Sequence, residues 1–219
     1  NNFLPLLCIS NIANGYEAFL KQYGLSHSDF DELAKKTPEG NRGKVLLPWY
    51  EGERTPDLPE AAPLYFGFGL QDFTKEYLCR AVLEGHVLNL YEGFLKLPVN
   101  PTEIRLTGGM SKSETWRKTI ANVFNCEVVP VLGEGAALGA AIHAAWTYFG
   151  EKSLEEIANP FIKFDEDARI KPNPEKVKVY EDFSKIYFAL SRSIRAVEQD
   201  PAQKGGDSTN PFKMYAQFQ

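Results

Sequence analysis

The centre of the chain, residues 104–145, alternates between short β-prone runs and longer stretches with helical periodicity. Ile104–Thr107 is the first β-prone run, and Val128–Val131 is the second. Between them, apolar residues recur at helical spacing from Trp116 to Phe124, and a helix rich in Gly and Ala begins at Gly135. The pattern predicts strand, glycine turn, helix, strand, glycine turn and helix, and therefore an α/β fold class.

The start of the first of these helices is predicted from capping residues. Ser111 or Ser113 offers a hydroxyl N-cap, and Glu114 places negative charge in the first turn. In the second helix, small residues allow the backbone to lie very close to the element on which it packs.

Outside this stretch the same periodicities predict further elements. They are a strand at 3–10, a helix with Tyr16, Phe19 and Leu20 inward, a short helix at 30–36, a strand at 45–47, a long helix after Thr74, a short extended piece at 161–164 and a last helix after Pro174 with an apolar stripe. Residues 24–44 are polar and predict a mobile insert, and the glycines and prolines of 200–219 predict a loose tail. We interpret residues 1–199 as one domain.

Composition narrows the class of protein. The chain has 219 residues, 43% of them hydrophobic, and a net charge of −5 without a basic run, which argues against a nucleic-acid surface. No apolar run is long enough to span a membrane. The three cysteines are widely spaced without a metal-ligand pattern, as expected for reduced thiols in a cytoplasmic protein. The first residue is Asn rather than Met, which suggests a fragment of a longer product.

The glycine pair Gly108–Gly109 carries the candidate chemistry. A glycine turn between a strand and a helix lets backbone approach a ligand closely, and the N–H groups and dipole of the following helix favour phosphate. A plain tight turn would have the same sequence. The pair is neither a Walker loop, since no Gly-Lys-Ser/Thr follows, nor the Gly-x-Gly-x-x-Gly fingerprint.

The order of residues around the pair is more specific. Gly108–Arg117 and Glu134–Ala141 closely resemble the adenosine-binding end of the FGGY carbohydrate kinases, xylulokinases in particular. Leu47–Pro56 is similar to the Leu-Pro-Tyr-x-x-Gly-Glu-Arg-Thr-Pro loop of that family, Tyr65–Phe68 to its Phe-Phe-Gly-Leu, and Arg80–Gly85 to its Arg-Ala-Val-Leu-Glu-Gly helix. The resemblance covers roughly residues 4–195, and only the second half of such a kinase.

The resemblance implies a ribonuclease-H-like, actin-like ATPase fold, seen as the C-terminal half of a two-domain sugar kinase whose first strands are missing here. It implies ATP and Mg²⁺ as cofactors, and transfer of the γ-phosphoryl group to a sugar hydroxyl, of xylulose or a related pentulose. The implied partners are ATP or ADP and, through an absent N-terminal domain, the sugar. No nucleic-acid or membrane partner is expected, and a homodimer is compatible with the family.

The resemblance also implies which residues contact the nucleotide: Gly108 and Gly109 at the turn, Ser113 near the adenine, and Ala13 and Glu17 on the first helix. Met110 stands where the family usually has a third glycine, and Ser113 where some members have asparagine. Glu17 would equally suit a solvated helix surface.

Two features of the kinase family are absent from these 219 residues: the context of the catalytic-base aspartate and a Gly-Thr-Ser/Thr-Gly phosphate turn. We therefore expect no catalytic or metal-binding residue in this chain, and no sugar phosphorylation by the chain alone. An alternative hypothesis is a catalytically inactive nucleotide-binding or regulatory module derived from such a kinase. A Rossmann-type cofactor domain is disfavoured, because no acidic ribose-binding residue follows at the expected spacing.

Overall fold

A computed structural model of the chain describes residues 5–133, 135–150 and 152–195. These residues form two compact units. The first combines the chain up to Asn100 with the chain from Pro174 onward, and the second is Pro101–Asn173. The prediction of one domain over residues 1–199 stays a prediction, and the predicted tail lies outside the described residues.

The first unit is mainly helical. Its elements are α1 (Ile12–Tyr23), α2 (His27–Lys35), β1 (Val45–Leu47), β2 (Leu64–Phe66), α3 (Lys75–Phe94) and α7 (Pro174–Ile194). Strands β1 and β2 pair antiparallel, with Val45 opposite Phe66. Helix α3 lies in the core, where α2, α7 and β1 all pack against it.

Close packing on α3 depends on a glycine. A Cβ at Gly85 would lie 2.4 Å from the carbonyl oxygen of Leu46 on β1, so no larger residue fits between helix and strand. Every residue from Leu78 to Asn89 is buried, including charged ones. Burial on all sides explains why α3 lacks a polar face.

Polar groups of α3 are bonded inside the first unit. Asn89 accepts a hydrogen bond from Trp49 Nε1 at 3.1 Å and donates one to Glu53 Oε2 at 3.0 Å. Glu53 also accepts from the backbone N–H groups of Ser10 and Arg54. The carboxylate therefore joins α3, the 51–62 loop and the segment before α1, which satisfies its buried oxygens.

The second unit contains β3 (Glu103–Leu106), α4 (Glu114–Phe124), β4 (Glu127–Leu132), α5 (Gly135–Phe149), α6 (Leu154–Ala158) and β5 (Lys163–Phe164). Strand β4 is central: β3 runs parallel to it and β5 antiparallel. Helix α4 forms the crossover connection between the parallel strands β3 and β4, and its length suits such a connection. Its apolar face packs on β4.

Most predicted elements are present, with small changes in bounds. The 45–47 strand, the helix after Thr74, the serine-capped helix and the last helix all form. The predicted strand at 3–10 is wrong, because residues 5–9 have no regular structure. The polar segment 24–44 is packed rather than mobile: Phe30 is fully buried, and α2 packs on α3. The residues that α2 buries are Phe30 and Ala34, which lie one helical turn apart.

Helix α5 is mostly exposed among the described residues. Ile142 is its one buried residue within the described part of the chain, and Tyr148 is 85% exposed. Small residues permit close packing but do not by themselves provide a partner surface.

No helix among the described residues has the length and hydropathy needed to cross a membrane.

Candidate functional site

A cavity of about 720 Å³ lies at the carboxyl ends of β3 and β4. Because these strands are parallel, both end at the same edge of the sheet, and ligands of open α/β sheets bind at this edge. The cavity is lined by Thr107, Gly108, Gly109, Ser111, Lys112, Arg117, Pro130, Val131, Leu132, Gly133, Gly135, Asp165 and Ala168.

Gly108 makes the turn out of β3 with a conformation that requires glycine. Its φ is 83° and its ψ −167°, a combination that is essentially restricted to glycine. A Cβ at Gly108 or Gly109 would meet no atom within 4 Å, so both glycines border open space. The turn therefore exposes bare backbone to the cavity.

The chain after Gly108 is a single tight turn, a 3-10 helix over Gly109–Lys112. The Ser111 hydroxyl donates to Gly108 O at 2.7 Å, and Ser111 N donates to the same oxygen at 3.3 Å. Two bonds to one carbonyl hold the turn in a fixed shape. Helix α4 then begins at Glu114, after its cap Ser113.

Among the residues that the structure describes, two cations and one carboxylate line the cavity. Lys112 is exposed, whereas Arg117 on α4 is 8% exposed and its Nη1 donates to Ser111 O at 2.6 Å. Asp165 follows β5; its backbone N–H donates to Pro130 O at 3.0 Å, and its Oδ1 accepts from Ala168 N at 3.2 Å. These three side chains together carry a net positive charge, which suits an anion.

The predicted site residues belong to both units. Gly108 and Gly109 line the cavity. Ser113 does not line it: its hydroxyl accepts a hydrogen bond from Trp116 N at 3.2 Å, as the cap of α4. Ala13 and Glu17 are exposed on α1, which belongs to the first unit. The nucleotide role of all five residues stays a prediction.

A smaller cavity of about 220 Å³ lies along α1 in the first unit. Asn14, Gly15 and Ala18 line it from the helix, with Tyr50 and Tyr65 opposite. Ala13 and Glu17 do not contribute to it. Glu17 instead lies 3.8 Å from His27 Nε2, with both side chains mostly exposed, as expected of a surface pair.

Sequence reasoning missed Lys112, Arg117 and Asp165. A signal for Arg117 was available. It follows the buried Trp116, and it lies four residues after Ser113, so both lie on the same face of the helix. Asp165 could not have been found this way. It reaches the cavity through the pairing of β4 with β5, which is a contact distant in sequence.

The residues of the cavity fit a nucleotide better than a resident metal. Open glycine backbone, a helix start and two cations suit phosphate groups. No group of three potential metal ligands occurs in the part of the chain that the structure describes. A Mg²⁺ ion arriving with a nucleotide would find Asp165 as the carboxylate of the cavity lining.

Residues 12–148 match the sequence profile of the FGGY family of carbohydrate kinases, C-terminal domain. The chain belongs to this family. Its resemblance to xylulokinases is also confirmed: it is 37% identical over 192 residues to a xylulose kinase of Haemophilus influenzae. A gluconokinase of Bacillus subtilis is 32% identical over 171 residues, which cover 74% of this chain and 32% of that enzyme.

Solved structures of the family confirm the fold class. The FGGY chain superimposes on a ligand-bound xylulose kinase of Lactobacillus acidophilus with a TM-score of 0.76 at 28% identity, covering 86% of this chain and 39% of that one. A gluconate kinase of the same organism gives a TM-score of 0.74. The Haemophilus enzyme is likewise covered over 39% of its length, by 86% of this chain, so the chain spans about two fifths of these relatives.

Proposed function

We propose that this chain is the nucleotide-binding, C-terminal part of an ATP-dependent carbohydrate kinase. The observation that carries the proposal is the cavity at the ends of β3 and β4, which is lined by the glycine turn and by Arg117 of α4. Membership in a carbohydrate kinase family supports phosphoryl transfer as the reaction. The kinase would transfer the γ-phosphoryl group of ATP to a sugar hydroxyl.

In this proposal the chain's own groups bind and orient the nucleotide. Gly108 and Gly109 admit phosphate oxygens close to backbone, because no side chain occupies the space beside them. Gly135, the first residue of α5, also lines the cavity, so the favourable dipole of that helix start adds to the attraction for phosphate. Ser113, Ala13 and Glu17 remain the proposed further contacts. Mg²⁺, when bound with ATP, supplies charge neutralisation on the phosphates.

Xylulose or a related pentulose is the proposed sugar. Several of the relatives at 30% identity or more are xylulose kinases, which supports this choice over other sugars. Gluconokinases at 31% and 32% identity make gluconate the first competitor to test. A homodimer and a cytoplasmic location stay predictions from the sequence.

The nucleotide site can be tested with substitutions at Gly109. A Cβ there meets nothing within 4 Å, so Gly109→Ala should fold. Its methyl group occupies the space beside the backbone, so it should bind more weakly than the wild type but more tightly than Gly109→Asp. Gly109→Asp adds a carboxylate where phosphate is proposed to bind. Calorimetric titration with Mg-ATP and with ADP should show saturable binding to wild type and Gly109→Ala, and at least a tenfold loss for Gly109→Asp, since a like charge disfavours phosphate by ~1.4 kcal/mol or more.

Two results would contradict this site. One is equal affinity of Gly109→Asp and Gly109→Ala for ATP. The other is a wild-type chain that circular dichroism shows to be folded but that binds neither nucleotide. Both results would leave the family membership intact and remove the glycine turn from the proposed function.

We further propose that the chain alone does not phosphorylate a sugar. It spans 39% of the length of the Haemophilus xylulose kinase, and the base aspartate is expected outside these 219 residues. A coupled assay of ADP release should show no increase when xylulose, ribulose or gluconate is added to chain and Mg-ATP. Sugar-dependent release of ADP by the chain would refute this expectation. If a longer kinase that contains this chain binds nucleotide but shows no turnover, the inactive-module alternative is favoured.

A further inference from the structure

Arg117 is a buried cation that has no carboxylate partner among the described residues. The buried side chains of Lys44 and Arg80 each have a carboxylate within 4 Å, from Asp72 and Glu84 respectively. Arg117 is 8% exposed, yet no carboxylate oxygen among the described residues lies within 4 Å of its nitrogens. Because an unpaired buried charge is costly, such residues usually meet an ion or a ligand.

The guanidinium of Arg117 is held at the cavity with donors to spare. Its Nη1 donates to Ser111 O at 2.6 Å, which orients the side chain from α4 back toward the glycine turn. Its Nε is buried and makes no hydrogen bond within the described residues. A guanidinium carries five N–H donors in a fixed fork, so Nη donors beyond the one given to Ser111 O remain available on a group that lines the cavity.

The surroundings of Arg117 favour an anion over a neutral ligand. Lys112 is a second cation of the cavity lining. Asp165, the one carboxylate of the lining within the described part of the chain, has Oδ1 bonded to Ala168 N at 3.2 Å. Gly108 and Gly109 leave open space beside the turn that Arg117 supports. An anion with several oxygens could therefore accept hydrogen bonds from the backbone of the turn and from the guanidinium at the same time.

We propose that Arg117 is an anion-binding residue of this cavity, and that it pairs with a phosphate oxygen when the anion is a nucleotide. The second clause rests on the proposed nucleotide function, whereas the first does not. Arginine suits this role because its planar fork matches phosphate oxygens. The bond to Ser111 O makes the group rigid before any ligand arrives.

The test compares three ligands on the 219-residue chain: adenosine, ADP and inorganic pyrophosphate. Arg117→Gln removes the charge but keeps an amide that can donate to Ser111 O. Lys118→Gln is the matched control, because it removes the same charge at the next residue, which is 57% exposed and pairs with Glu114 outside the cavity. Titration calorimetry at low salt gives the affinities.

We expect Arg117→Gln to lose roughly 10- to 100-fold in affinity for ADP and pyrophosphate, the range for a charge-assisted hydrogen bond. Adenosine binding should change little, and Lys118→Gln should bind all three ligands like wild type. Arg117→Lys keeps a positive charge and should recover part of the loss. Recovery by charge distinguishes ligand contact from a role in packing alone.

A measurement on the unmodified chain covers the case in which Arg117→Gln does not fold. In ¹⁵N spectra the Nε–H signal of Arg117, assigned through its loss in Arg117→Lys, should shift on titration with pyrophosphate. The Nε–H signal of Arg105, which bonds Glu103 at 2.8 Å and does not line the cavity, should not shift.

The outcomes separate this proposal from the nucleotide function. Pyrophosphate binding that depends on Arg117, without adenosine or ADP binding, keeps the anion residue and rejects the nucleotide. Equal ADP affinity of wild type and Arg117→Gln keeps the nucleotide and overturns the role of Arg117. Equal losses for adenosine and ADP, an unmoved Nε–H signal, or a folded wild type that binds neither ADP nor pyrophosphate also overturn it.

Discussion

At the scale of single residues, Glu84 is the clearest example of how burial controls ionisation. It lies on α3, 1% exposed, and its Oε1 accepts hydrogen bonds from Gly40 N and the Tyr180 hydroxyl, both at 2.9 Å. Burial raises the pKa of Glu84 to about 7, although Arg80 nearby opposes the shift. Desolvation wins because the nearest Arg80 nitrogen is 3.8 Å away.

This shift predicts a stability that falls as pH rises. The folded pKa of about 7 lies above the ordinary value of 4.5, so the folded state holds the proton more tightly. The free energy of unfolding should decrease from about pH 4.5 to pH 7, by an amount on the order of 3 kcal/mol from this group. Glu84→Gln cannot ionise and should remove that loss, as urea unfolding at several pH values would show.

The comparison must be a difference between variants, because His86 acts in the opposite direction. Burial lowers the pKa of His86 to about 4, so its contribution is lost as pH falls from about 6.5. Glu39→Gln is a control of opposite sign: half-burial opposes the charge, but the hydrogen bond from Lys176 lowers the pKa of Glu39. A constant difference between Glu84→Gln and wild type over pH 5–8 would refute the titration of Glu84.

At the scale of elements, two helices of the chain use glycine for different reasons. On α3, Gly85 lies against the backbone of Leu46. A Cβ added at Gly85 would be 2.4 Å from Leu46 O. On α5, a Cβ at Gly139 would meet no atom within 4 Å. Glycine is required where backbones touch, and it is an entropic cost where they do not.

Gly85→Ala should therefore lower the free energy of unfolding by about 1–3 kcal/mol, since the helix and β1 must separate to admit the methyl group. Gly139→Ala should raise it by up to about 1 kcal/mol, through helix propensity alone. Urea unfolding followed by circular dichroism measures both. The packing explanation fails if Gly85→Ala is as stable as wild type.

At the scale of the whole molecule, the first unit is built from two parts of the chain that are distant in sequence. Helix α7 returns to α3 through buried bonds: Ser191 Oγ donates to Glu92 Oε1 at 2.8 Å, and Arg195 Nη2 lies 2.8 Å from the same oxygen. Lys176 Nζ lies 2.9 Å from Glu39 Oε2. The first unit is therefore complete only when α7 is present.

A chain that ends after Asn173 should lose the cooperative unfolding of the first unit. Without α7, Glu92 keeps a buried position but loses the Arg195 guanidinium, and one face of α3 is exposed. The fluorescence of buried Trp49, whose Nε1 bonds Asn89, reports the transition. A control chain that ends after Arg195 keeps the unit and tests the predicted loose tail. Equal unfolding midpoints of the two chains would contradict the dependence on α7.

The sequence by itself determined the elements whose information is local. The glycine turn at Gly108, the serine cap of α4 and the helical stripe of α7 follow from residue spacing, and the order of motifs sufficed to identify the family. Each depends on neighbours a few residues apart, so periodicity and capping chemistry describe it.

Only the tertiary structure decided which side chains share an environment. It placed Arg117 and Asp165 at the same cavity as Gly108, and it left Ser113 to cap a helix. It also buried Phe30 in a segment too polar to suggest burial. These outcomes depend on contacts between elements distant in sequence, where strand pairing and desolvation act, and no local pattern carries that information.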